Sequence, residues 1–246
     1  MEHHGPTSWL QHLPLLPHDA HYIHVNAAVV VFLIIAAFAV LANRAIRRRQ
    51  NALIVPSPKF SVATLADLLV ESLHGMVTGV LGPAGLVHFS IIGALFVFVL
   101  LSNLMGLLPL SSSPSGSMNT TIALGLVSFV YYNIMGVKAH GPVGYAKHFL
   151  MGLGVVGVPI AMFELLSHVL RPGTLGLRLF LNMTIDHLLA GSFASLFAWL
   201  LPVPLLLFGI VVSTIQAFLF AVLTAVYIQM ATEHEEHGDH HEAHHH

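Results

Sequence analysis

Cysteine is absent from the chain, which removes disulfides, thiolate metal ligands and cysteine nucleophiles together. Charge is nearly as scarce: Asp, Glu, Lys and Arg make up 8% of the 246 residues, against about 25% in soluble domains. No polar stretch is long enough to fold as a soluble domain of useful size. No repeat with a period of 20 to 50 residues is found, nor an inverted pair of broken helices, which argues against a secondary transporter. What fills the chain is apolar: 56% hydrophobic residues, a mean hydropathy of +0.81, 20 glycines and 13 prolines. That composition predicts an all-α membrane protein, in which helix packing satisfies the backbone groups that Gly and Pro release.

The first apolar run, Val25 to Ala42, is long enough to span. It follows a histidine-rich start without Lys or Arg, not a basic leader, so it is expected to be retained. Arg44, Arg47, Arg48 and Arg49 come directly after it, and the positive-inside rule puts them in the cytoplasm and residues 1 to 24 outside. Residues 60 to 81 place Asp67, Glu71, Ser72 and His74 among helically spaced apolar positions, the pattern of an amphipathic interfacial helix. Leu86 to Leu108 should cross outward to a Ser/Pro/Gly loop, and Asn119 to Val137 should return to a loop carrying Lys138 and Lys147.

Residues 148 to 201 exceed one upright span and contain Pro159, Pro172 and Gly173, which leaves two spans or one long kinked arm. A last helix is expected from about Pro204 to Met230, with residues 231 to 246 a His-rich soluble tail. One crossing for 148 to 201 makes the tail cytoplasmic; two put it outside. Residues 25 to 230 thus form a single polytopic membrane domain of about five transmembrane helices plus one interfacial helix. The tail's HEEH at 234 to 237 is one residue short of H-E-x-x-H, so a zinc protease is not indicated and no cofactor or metal is expected.

Within 148 to 201, Glu164, His168, Arg171, Thr174, Arg178, Asn182 and Asp186 follow one another at spacings of 4, 3, 3, 4, 4 and 4. On a continuous helix these steps extend about 33 Å and return to within roughly 40° of their starting direction. Taken singly, Thr174 and Asn182 also fit interhelical hydrogen-bond glue, and His168 fits a hydrogen-bonded core histidine. Arg178 is different, because a guanidinium near the bilayer centre costs about 3 to over 10 kcal/mol and cannot shed its proton. Acids are few nearby, so its partner is expected on another subunit, as in a multi-subunit ion-translocating machine.

RPGTLGLRLFLNM followed by HLLAG, SNLMGLLP, and STIQAFLFAVLTAVYIQMATEHEEH closely resemble subunit a of the F-type ATP synthase membrane sector. The resemblance covers Leu86 to about Glu236. It implies a non-catalytic stator whose last two helices are long, tilted and packed against a ring of c subunits, each bearing one membrane carboxylate. It implies two aqueous half-channels that carry protons to and from that carboxylate, with subunit b of the peripheral stalk, the rest of the complex and the lipid bilayer as partners. The expected location is a bacterial plasma membrane. By position, Arg178 matches the essential arginine and Gln216 the glutamine facing it. Asn103, Asn182 and His187 match the outer half-channel, and Glu164 and Thr174 the cytoplasmic side. Sodium coupling is the alternative, and a transporter binding an anion at Arg178 a remote one.

The sequence departs from the family pattern at several points. Ile185-Asp186 stands where relatives have a small pair such as Ala-Gly, and Gly209 where several carry an acid or histidine. Gly106 and Ser117 stand where some carry acids. Asp186 beside His187 is expected to replace the missing outer-channel partner.

Overall fold

In the computed structural model the residues described are 23–48, 61–108, 113–150, 154–196 and 202–232. The N-terminal segment before residue 23 and the His-rich tail from 233 onward lie outside them. Six α-helices follow one another: α1 Ile23–Arg48, α2 Val62–Leu81, α3 Phe89–Gly106, α4 Met118–Leu150, α5 Gly154–Leu196 and α6 Pro202–Thr232. Short 3-10 helices at Pro83–His88 and Pro114–Gly116 lead into α3 and α4. No strand occurs among the described residues, and the chain is an all-α membrane protein. The helices α1, α3 with its preceding 3-10 turn, α4 and α6 are each long and apolar enough to cross a bilayer.

The expected interfacial helix is α2. Ser61 caps its N-terminus through a bond from Thr64 N–H to Oγ (3.4 Å), and Gly82 ends it at φ +68°. Asp67, Glu71, Ser72 and His74 are exposed while Ala63, Ala66, Leu73 and Val77 are buried. By length and composition alone α2 is also sufficient to cross.

Between one and two crossings for residues 148 to 201, the structure selects a single helical arm. α5 runs unbroken for 43 residues through Pro172, about 64 Å at 1.5 Å per residue. A hydrocarbon core of about 30 Å accommodates such a length only by strong tilt or by protrusion. Proline removes one backbone donor, but here the arm is held from the side. The backbone of α4 reaches α5 at Gly125, where any Cβ would meet the Pro172 carbonyl, and a Cβ on Gly176 would stand 2.7 Å from the Thr121 carbonyl oxygen. Two glycines thereby permit direct backbone approach, the small-residue packing typical of membrane helices.

α4 continues beyond the expected span end at Val137, but not straight. Gly141 adopts φ +73°, ψ 162° before Pro142; the positive φ is open to glycine, and the extended ψ fits proline's restriction on its predecessor. The chain folds back there, laying Tyr145 over Gly136.

Three apolar clusters connect the helices. Leu95, Val99, Leu175, Leu179, Ala217 and Phe220 join α3, α5 and α6 at mid-bundle. Val77, Ile92, Tyr132, Ala221, Ala225 and Ile228 join α2, α3, α4 and α6. Ala27, Val31 and Met105 hold α1 on α3, while Phe32, Leu33, Ile34, Val40 and Leu41 of α1 are exposed, the face a lipid-lying helix presents.

Candidate functional site: a polar seam between the two long helices

The buried stripe of α5 consists of His168, Pro172, Leu175, Gly176, Leu179 and Met183, while Thr174, Leu177, Arg178, Leu181 and Ile185 are exposed. The polar ladder runs along the border of that stripe. Its rungs therefore do different things. His168 turns inward to α4, Asn182 turns to α6, and Thr174 and Arg178 lie on the open side.

Asn182 and Gln216 are brought together directly, with Asn182 Nδ2 donating to Gln216 Oε1 at 2.7 Å. Gln216 is only 3% exposed, and its Nε2 has no hydrogen-bond partner. Arg178 lies one turn before Asn182, exposed, and makes no hydrogen bond or ion pair among the described residues. A cation in this position is poised to meet an anion that comes from outside the chain. Thr174, one turn earlier, is exposed and donates to the Arg171 carbonyl at 3.0 Å. Asp186, one turn past Asn182, is half-buried. The side chains of Glu164 and His187 lie outside the described residues.

Asn103 is buried at the C-terminal end of α3, 4% exposed, with Oδ1 unpartnered. Around it the chain is tightly folded. Ser113 Oγ donates to the Ser102 carbonyl (2.7 Å) and meets Ser115 Oγ (2.7 Å), which docks the Pro114–Gly116 turn on α3. The two glycine departures have a packing counterpart here. A Cβ on Gly106 would strike the Met183 methyl group, and one on Gly209 would strike Leu107 Cδ2. Apolar side chains occupy the space that a side chain at either position would need.

A second polar cluster escaped the sequence reading. Three successive residues of α4 point in three directions at about 100° intervals: Tyr131, Tyr132 and Asn133. Tyr131 Oη lies 2.9 Å from His88 Nδ1. Tyr132 packs edge-on against His168 at 5.4 Å and at a tilt against Tyr227 at 5.7 Å. Asn133 Nδ2 donates to the Phe129 carbonyl at 2.8 Å, which turns Oδ1 toward Tyr145 Oη (3.0 Å) and His168 Nε2 (2.9 Å). The amide orientation assigns the proton of His168 to Nε2. His168, left open between rung and core residue, is thus a hydrogen-bonded core histidine. Four of the five tyrosines lie in this layer; the signal for it in the sequence is the tripeptide YYN in an apolar run, since tyrosine is enriched near membrane interfaces.

The family model described as ATP synthase A chain matches residues 25–229. The chain belongs to that family. It is 34% identical over 229 residues to ATP synthase subunit a of Bdellovibrio bacteriovorus, covering 93% of this chain and 98% of the relative. It is 34% identical to ATP synthase subunit a of a Sulfurihydrogenibium species, covering 87% and 99%, and 36% identical to ATP synthase subunit a 2 of Syntrophotalea carbinolica, covering 89% of each. Membership of the ATP synthase A chain family assigns the protein to the membrane sector of an ATP synthase and to ion transport coupled to ATP synthesis.

Proposed function

We propose that the protein is the proton-translocating stator of that sector, with Arg178 as the fixed cation that meets the carboxylate of each passing ring subunit. The observation that carries the proposal is the placement of Arg178: exposed on α5, without an anionic partner among the described residues, and one turn from the Asn182 to Gln216 bond. A fixed positive charge favours the ionised ring carboxylate and lowers its pKa, so a proton leaves as the carboxylate approaches. The same charge repels an excess proton and separates two half-channels. Asn103, Asn182, Asp186 and His187 line the outer one, with Gln216 facing the arginine; Thr174 and Glu164 line the cytoplasmic one. The unpartnered Asn103 Oδ1 and Gln216 Nε2 support a hydrated polar path there, since a buried polar atom without a partner costs about 1–3 kcal/mol.

Each charge moved through 100 mV yields about 2.3 kcal/mol, so several must pass per ATP, and the chain itself performs no covalent chemistry. On this reading α1, α3, α4, α5 and α6 cross a bacterial inner membrane and α2 lies at the interface; with the arginines after α1 on the cytoplasmic side, the N-terminus is outside and the tail cytoplasmic. Subunit b of the stalk and the c-ring are the partners. The test is ATP-driven proton pumping by membrane vesicles carrying the assembled complex with Arg178→Ala. Pumping is expected to vanish while the complex still assembles; normal pumping would overturn the proposal.

A further inference from the structure

Arg171 is a second cation in α5, and the translocation path above gives it no part. Its guanidinium carbon stands 5.3 Å from the centroid of the Tyr227 ring on α6, within the range of a cation–π contact. This contact and the Asn182 to Gln216 bond share a register. Eleven residues separate Arg171 from Asn182 on α5, and eleven separate Gln216 from Tyr227 on α6. Eleven residues are about three helical turns, so on each helix both contacts leave from one side, as an unslipped antiparallel pair requires. Arg178 lies between them, seven residues after Arg171 and four before Asn182. The rest of the α5 to α6 seam at this level is apolar: Leu175 and Leu179 against Ala217 and Phe220. Apolar contact is non-directional and resists sliding less than a directional polar contact does.

We propose that Arg171 and Tyr227 form a register clamp that, with Asn182 and Gln216, holds α6 against α5 on both sides of Arg178. Arg171 is accordingly a positioning residue for Arg178. The clamp is a statement about packing; only its consequence for coupling rests on the function proposed above. On the cytoplasmic side of Arg178, α4 holds α5 through Gly125, Gly176 and His168 and holds α6 through the Ser128 to Thr224 hydroxyl bond (3.0 Å), so loss of the clamp is read at the α5 to α6 seam itself.

The chain has no native cysteine, so the register can be read directly. Leu175→Cys with Leu223→Cys places thiols at equivalent positions of this register within one cluster. In the assembled complex a short bifunctional thiol reagent should join them. Tyr227→Leu and Arg171→Ala should each lower that yield by about two- to thirtyfold, the range of a cation–π contact. The double variant should be no worse than either single one, and Tyr227→Phe, which keeps the ring, should restore the yield. Passive proton leak through the membrane sector should rise in the same variants. Unchanged cross-linking in Tyr227→Leu overturns the clamp. A loss confined to Arg171→Ala also overturns it and gives the arginine a charge role. Altered cross-linking without altered leak keeps the clamp and counts against the function proposed for Arg178.

Discussion

Asn133 and Asn103 are amides of the same bundle, used in opposite ways. Asn133, toward the proposed cytoplasmic side, spends its donor on Phe129 and its acceptor on both Tyr145 and His168. Asn103, at the far end of α3, is more deeply buried and leaves Oδ1 unpartnered, and Gln216 likewise leaves Nε2. One region therefore uses polar side chains to bind helices together, and the other keeps polar capacity in reserve. The Tyr132 hydroxyl is the exception on the first side: it is buried, with the Arg171 guanidinium beside it. The difference separates architecture from function within a single polar stripe: spacing on α5 alone does not distinguish His168 from Asn182, but their partners do.

The contrast is broken most severely at the backbone contact that supports both regions. Gly176→Leu should abolish assembly, because its Cβ meets the Thr121 backbone, which cannot rotate away, whereas Gly173→Leu faces open space and should assemble. The amount of chain recovered in purified complex measures both. Asn182→Leu strips Gln216 of its bond, at about 1–3 kcal/mol, and should lower ATP-driven pumping about tenfold with assembly retained. His168→Leu should do the reverse, lowering stability by about 1–2 kcal/mol, read as an earlier thermal transition, with pumping per assembled complex unchanged. Asp186→Asn should slow pumping by a few-fold and leave assembly intact; unaltered pumping would remove Asp186 from the outer path.

Much of the helical order was legible because long apolar runs bounded by Arg, Pro and Ser carry their own signals. The α5 arm was harder. Pro172 and Gly173 signal a break in isolation, yet the helix continues, packed where Gly125 of α4 leaves room for the Pro172 carbonyl, 47 residues distant in sequence. A loop carrying Lys138 and Lys147 was expected after Val137; the chain is instead helical on both sides of a single bend at Gly141-Pro142. Only the return of Tyr145 onto Gly136 reveals that the bend builds the His168 site. Arg178 and Asn182 were visible through motif and spacing. Asn133 was not, and Tyr227 was visible only as part of a motif without a role, since each acts through a partner on another helix.

The central claim is that the open face of α5 around Arg178 meets the ring. Thr174 and Leu181 flank the arginine on that exposed face, while Leu179 is fully buried. Cysteines at 174 and 181, each paired in turn with a cysteine one turn from the ring carboxylate, should form cross-links in the assembled complex that ATP hydrolysis redistributes around the ring. A cysteine at 179 should form none. Cross-linking at 179 with silence at 174 and 181 would contradict the claim.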